Sequence, residues 1–98
     1  MTEIDPKLIS ALSSAKPGSM VQAVLTLGGP DGQLLSPARV DELVRDIFNQ
    51  ARLESGTKAQ RKKVFYSLQT VSLEADPRFI ETAIRQAAVQ SAMLNSRP

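Results

Sequence analysis

Gln86-Ala87-Ala88-Val89-Gln90-Ser91-Ala92-Met93-Leu94 contains neither glycine nor proline, and its conformation decides the fold. Alanine favours a helix that continues to about Leu94. The residues from Val89 to Leu94 are equally long enough for a strand. With a helix there, the chain offers three strands, and the sheet is left with a vacant central position and unpaired backbone groups. With a strand there, the elements read βαββαβ: an α+β domain with a four-stranded antiparallel sheet and two helices on one face.

Upstream of this stretch the signals are sharper. Asp76-Pro77 places a capping carboxylate before a proline suited to the first helical turn, and Phe79, Ile80, Ala83, Ile84 and Ala87 recur at helical spacing. Before it, Thr70, Ser72 and Glu74 alternate with Val71, Leu73 and Ala75, the period of a strand with one covered face. The run from Lys63 to Ala75 is too long for one strand, so a tight connection is expected near Ser67–Gln69, joining two antiparallel strands.

The same cap recurs at Ser36-Pro37. Val40, Leu43, Val44, Ile47, Phe48 and Ala51 then form one apolar stripe on a helix that ends near Gly56. Val21, Ala23, Leu25 and Leu27 alternate with Gln22, Val24 and Thr26, a further strand with one more polar face. Gly28-Gly29-Pro30-Asp31-Gly32 is a turn-rich loop, and without a following Gly-Lys-Ser/Thr it is no phosphate loop. At the N-terminus, Asp5-Pro6 with Ile4, Leu8 and Leu12 four apart predicts a short helix closed by Lys16-Pro17-Gly18-Ser19. The expected division is an N-terminal helix and turn over 1–19, a domain over 20–95 and a tail over 96–98.

The 98 residues suit a single domain, and 42% hydrophobic with 22% charged residues is ordinary globular composition. There is no cysteine and no histidine, which excludes disulfides, thiolate or imidazole metal sites and every histidine-based acid–base or nucleophilic mechanism. The carboxylates that could pair, Asp41, Glu42, Asp46, Glu74 and Asp76, are expected at surface positions with capping or solubilising roles, so no enzyme and no cofactor is expected. No secretory leader or apolar span is legible, and the expectation is a soluble, cytoplasmic protein without a membrane partner. The net charge is +2, but residues 51–63 alone carry +4 through Arg52, Lys58, Arg61, Lys62 and Lys63 against Glu54. This segment reads first as a solvated basic loop.

Several elements together resemble the propeptide-like inhibitors of subtilisin-type serine proteases, including small free-standing bacterial relatives without an attached protease. They are the opening strand Val21-Gln22-Ala23-Val24-Leu25, then Phe65-x-x-Leu68-x-Thr70-Val71-x-Leu73 across the middle strands. The helix Phe79-Ile80-x-x-Ala83-Ile84 follows, and Val89-Gln90-Ser91-Ala92-Met93 leads into Leu94-Asn95. The resemblance spans about Val21 to Asn95. It implies the ferredoxin-like form of the βαββαβ plan, and so a strand rather than a helix at Val89–Leu94.

It also implies a partner and a mode of binding. The open sheet face, carrying Gln22, Val24, Thr26, Thr70, Ser72 and Glu74 with Gln90 or Ala92 from the last strand, would pack on a subtilisin-type protease. The tail Leu94-Asn95-Ser96-Arg97-Pro98 would enter the substrate cleft as an added strand. The implied activity is inhibition of the protease or assistance in its folding. The alternative from another class is a single-stranded RNA-binding domain using Lys58, Arg61, Lys62 and Lys63. It is disfavoured because alternation lets only one of Phe65 and Tyr66 reach the open face. A third alternative is a homo-oligomeric regulatory domain, or a module of a larger assembly, that makes contact through an edge strand or the N-terminal helix; a monomer or weak homo-oligomer is the expected state.

Overall fold

A computed structural model describes residues 3–16, 18–28 and 34–95. The fold is α+β, with helices α1 (Pro6–Ser14), α2 (Pro37–Ser55) and α3 (Pro77–Ile84). The strands are β1 (Glu3–Ile4), β2 (Val21–Leu27), β3 (Arg61–Phe65), β4 (Thr70–Ala75) and β5 (Val89–Leu94), in the sheet order β1-β5-β2-β4-β3. The decisive stretch is therefore a strand, and it lies inside the sheet between β1 and β2.

The four strands from β2 onward pair antiparallel, but the sheet as a whole has five strands and is mixed. This corrects the four-stranded expectation. Ile4 shares the four-residue spacing of Leu8 and Leu12 but lies outside the helix. Asp5 instead caps α1, its side chain accepting from the Lys7 N–H at 3.1 Å, so Glu3 and Ile4 are left extended. They run parallel to Ser91 and Ala92, and the Asp5 N–H donates to the Ala92 carbonyl at 2.9 Å.

Each helix begins as its residues dictate, with Asp5, Ser36 or Asp76 at the cap and a proline in the first turn. α2 ends on Gly56, whose φ of 73° is the left-handed conformation that glycine adopts without strain. α3 stops at Ile84, earlier than the expected stripe to Ala87. The Gln86 N–H turns back to the Ala83 carbonyl at 3.2 Å and the Val89 N–H to the Gln86 carbonyl at 3.0 Å, which redirects the chain into β5.

One core cluster holds the domain together. Val21, Ala23, Leu25 and Leu27 of β2, Val71, Leu73 and Ala75 of β4, and Val89 and Ala92 of β5 supply its sheet side. Val40, Val44, Ile47 and Ala51 of α2, Phe79, Ile80, Ala83 and Ile84 of α3, and Leu8 and Leu12 of α1 supply the helical side. Phe48 meets Phe79 edge to face, with ring centroids 5.3 Å apart. The N-terminal segment thus shares both the sheet and the core of the residues that follow it.

The basic segment also differs from its expectation. Lys58 precedes the sheet, but Arg61, Lys62 and Lys63 form most of the edge strand β3 rather than a loop. An edge strand can carry charge on both faces, so the alternation that marks β2 and β4 is missing here. The connection from β3 to β4 falls where length required it, as a 3-10 turn over Tyr66–Leu68 followed by Gln69 at a φ of 53°. Residues 29–33 of the glycine-rich loop lie outside the described residues.

Candidate functional site

Pairing register places three rows of side chains across the uncovered face of the sheet. Ser91, Thr26, Thr70 and Phe65 form one row; Met93, Val24, Ser72 and Lys63 the next; and Gln22, Glu74 and Arg61 the third. Their covered neighbours in β2 and β4 are all buried, whereas these residues are half-buried or exposed. A central apolar pair, Val24 and Met93, is thus bordered by small hydroxyl side chains and by cations on β3.

The third row is the most organised. The Gln22 amide donates to the Glu74 carboxylate at 2.8 Å, the Asn95 N–H donates to the Gln22 carbonyl at 3.0 Å, and the Asn95 side chain reaches the Ser72 hydroxyl at 3.4 Å. With Arg61 they line a recess of about 60 Å³. These bonds fix the rim where β5 ends and the tail departs.

Thr70, Ser72 and Glu74 therefore lie on the open face, as expected. The last strand does not follow the simple alternation drawn from Val89. The register shifts between Thr26 and Leu27, so Leu27 pairs with Val89 and Thr26 with Ser91, leaving Gln90 as the extra residue. Gln90 is exposed, and its amide lies against Gly28, on the space that a β-carbon there would take. As a correction, Ala92 is only 3% exposed and pairs with Leu25 on the core side, and Leu94 pairs with Ala23 and packs against the core. Ser91 and Met93 take the open face instead. No signal in the sequence marks the bulge that exchanges them. Ser96 and Arg97 lie outside the described residues.

Of the cationic candidates, Arg61 and Lys63 pair with Glu74 and Ser72 and so share the open face, while Lys62 pairs with Leu73 on the helix side. Its ammonium sits 5.3 Å from the centroid of the Phe48 ring. The Lys63 ammonium lies 5.2 Å from the Phe65 centroid. Tyr66 turns the other way, donating from its hydroxyl to the Asp41 carboxylate at 2.7 Å. That hydrogen bond is the main reason the phenol's pKa is raised. The two adjacent aromatics consequently do not form a stacking pair.

Asp76 is the one candidate acid found buried, which corrects its expected surface position. It accepts from the Arg78 N–H at 2.9 Å and the Arg78 side chain at 3.2 Å, and from the Gly18 N–H at 3.2 Å. The Arg78 backbone bond contributes most to a pKa below the ordinary aspartate value, outweighing the opposite effect of burial. A carboxylate held ionised in this way is a cap that ties the α1–β2 turn to α3. Among the described residues no buried side-chain polar atom lacks a hydrogen-bond partner, and no group of three or more His, Cys, Asp or Glu could hold a metal ion. No helix among them is long and apolar enough to cross a membrane.

No protein-family model matches the chain, no curated protein matches it, and no solved structure matches it.

Proposed function

We propose that this chain is a cytoplasmic protein-binding module of ferredoxin-like topology, which docks through its open sheet face and inhibits or chaperones a subtilisin-type serine protease. The observation that carries the reading is β5. It runs extended inside the sheet to Leu94, and Asn95 follows on the rim of a face that no helix among the described residues covers. A surface of this kind supports a partner across several strands at once, and in this reading the chain after Asn95 pairs with the partner as an added strand.

In this reading the three rows of the open face make the main contact, with Val24 and Met93 at its centre. Leu94 is committed to the sheet opposite Ala23, so the residue entering the protease's specificity pocket comes from the chain after it. Occupying the cleft blocks substrate, and preferential binding to the native protease stabilises that state by mass action.

The test is residual activity of a subtilisin-type protease titrated with the full chain, with a chain ending at Asn95, and with Val24→Arg on the open face. Inhibition by the full chain that is lost in both variants is the expected result. Unchanged protease activity and unchanged refolding yield with the full chain overturn the reading.

A further inference from the structure

Four of the five cations of the basic segment line one groove. Arg52 near the end of α2, Lys58 after it, and Arg61 and Lys62 of β3 surround a groove of about 240 Å³ with Phe48 among its walls. No acidic residue lines the groove. The salt bridges among the described residues, Arg39–Glu42 and Arg78–Asp76, use none of its cations. Arg52 has an ordinary structural role, since a cation in the last turn favours the helix dipole. That role does not explain why cations from three successive segments gather around it.

The groove borders an open strand edge. β4 is the sole sheet neighbour of β3 among the described residues, so the outer backbone groups of Arg61–Phe65 face away from the sheet. The pleat sends Arg61 and Lys63 to one side of that edge and Lys62 to the other. A second copy pairing in parallel and in register, or antiparallel about Lys62, would set each of these cations opposite another, and like charges across a strand pair are destabilising. The edge repels itself. For an acidic strand, the charge and the free backbone groups are both complementary.

We propose that the β3 edge is a docking site for an extended, acidic peptide segment of a partner protein. The segment adds as a further strand, with carboxylates reaching Arg61 and Lys63 on one side and Lys62, Lys58 and Arg52 on the other. A nucleic acid would meet the same charges but make no use of the strand edge, and it would find the Phe65 ring beside Lys63 and the Tyr66 hydroxyl engaged by Asp41. The proposal concerns the edge of the sheet rather than its open face, and it stands whether or not a protease is the partner of that face.

The experiment uses the full chain and a fluorescent peptide of about ten residues with a central run of glutamates. Two further peptides have the same sequence with alternate backbone amides methylated, one on the odd and one on the even positions. Strand addition uses only one set of amides, so one methylated peptide binds like the parent and the other at least about tenfold more weakly, the loss of two or more hydrogen bonds. Binding of the parent weakens as salt is raised. It is lost in Arg61→Gln/Lys62→Gln/Lys63→Gln, whose circular dichroism matches the wild type. Absence of parent binding at low salt overturns the proposal, as does equal affinity for the two methylated peptides. Displacement of the peptide by a shorter oligouridylate that binds more tightly overturns it in favour of nucleic acid.

Discussion

The two faces of the sheet are built from the same strands, often from adjacent residues, and they are held by different forces. On the covered face, Val21, Ala23, Leu25 and Leu27 alternate with their half-buried neighbours without a break and lock into helices above them. On the open face, Gln22, Glu74, Ser72 and Asn95 hold one another by hydrogen bonds. A one-residue slip would exchange the faces, so the apolar set fixes the register, and the polar set inherits its geometry from it. The covered face is thus where stability resides, and the open face is where composition is free to serve a partner.

Substitution on adjacent residues of β2 separates the two faces most strongly. Leu25 is fully buried, with Val71 and Ala92 beside it across the strands, and Leu25→Ala is expected to cost about 2–5 kcal/mol. Val24→Ala, one residue away on the open face, is expected to cost less than about 1 kcal/mol. Urea denaturation of both variants measures the contrast. Equal losses would mean that the open face is covered in solution, as a self-associating domain would require.

Next in size is Asp76, which is buried at the start of α3 and joins it to the turn before β2. Asp76→Ala removes the α3 cap and leaves the Gly18 N–H without its acceptor, for an expected loss of about 2–3 kcal/mol. Asp5, in the same Asp-Pro setting, is only half-buried, and its alanine variant should lose less. The lowered pKa of Asp76 gives the pH dependence its sign. Its stabilisation is complete above the unfolded aspartate pKa of about 3.9 and is lost as pH falls through the lower folded value. The stability difference between wild type and Asp76→Asn should therefore narrow on acidification below about pH 4.

These contrasts also explain what could be read from the sequence. The helix starts at Asp5, Ser36 and Asp76 and the end of α2 at Gly56 were legible, because capping is decided by a few neighbouring residues. The alternation of β2 and β4 was legible because one face is buried. Local preference left Val89–Leu94 undecided, since its alanines favour a helix and only the place between β1 and β2 makes it a strand. β1 leaves no sequence signal, because two residues carry no periodicity. The open face was only partly legible: Thr70, Ser72 and Glu74 followed from alternation, whereas the Gln90 bulge put Ser91 and Met93 where Ala92 was expected. Arg61–Lys63 looked like a loop because an edge strand needs no apolar face.

Between the two faces, Gln69 tests how the β3–β4 connection is secured. Its side chain accepts from the Leu35 N–H at 2.6 Å and donates to the Leu27 carbonyl at 3.1 Å, while its backbone is in the left-handed region. Gln69→Ala loses both bonds and keeps the strained φ, for an expected cost of about 1–2 kcal/mol. Gln69→Gly loses the same bonds and relieves the backbone, so it should be less destabilised than the alanine variant. The reverse order in thermal unfolding would show that the left-handed turn is not retained in solution.

The smallest effect lies at the exposed end of the same hairpin, where no stability is at stake. Tyr66 is the only tyrosine in a chain without tryptophan, so its ultraviolet titration is read without interference. Its hydroxyl donates to Asp41, and ionising it would break that bond and place two negative charges together, which is why its pKa is raised. Asp41→Asn removes the charge and should move the titration midpoint down towards the ordinary tyrosine value of about 10, while leaving the urea midpoint in place. An unchanged midpoint would free Tyr66 from α2. The ring would then be available beside Phe65, and the case against base stacking on β3 would lose its main support.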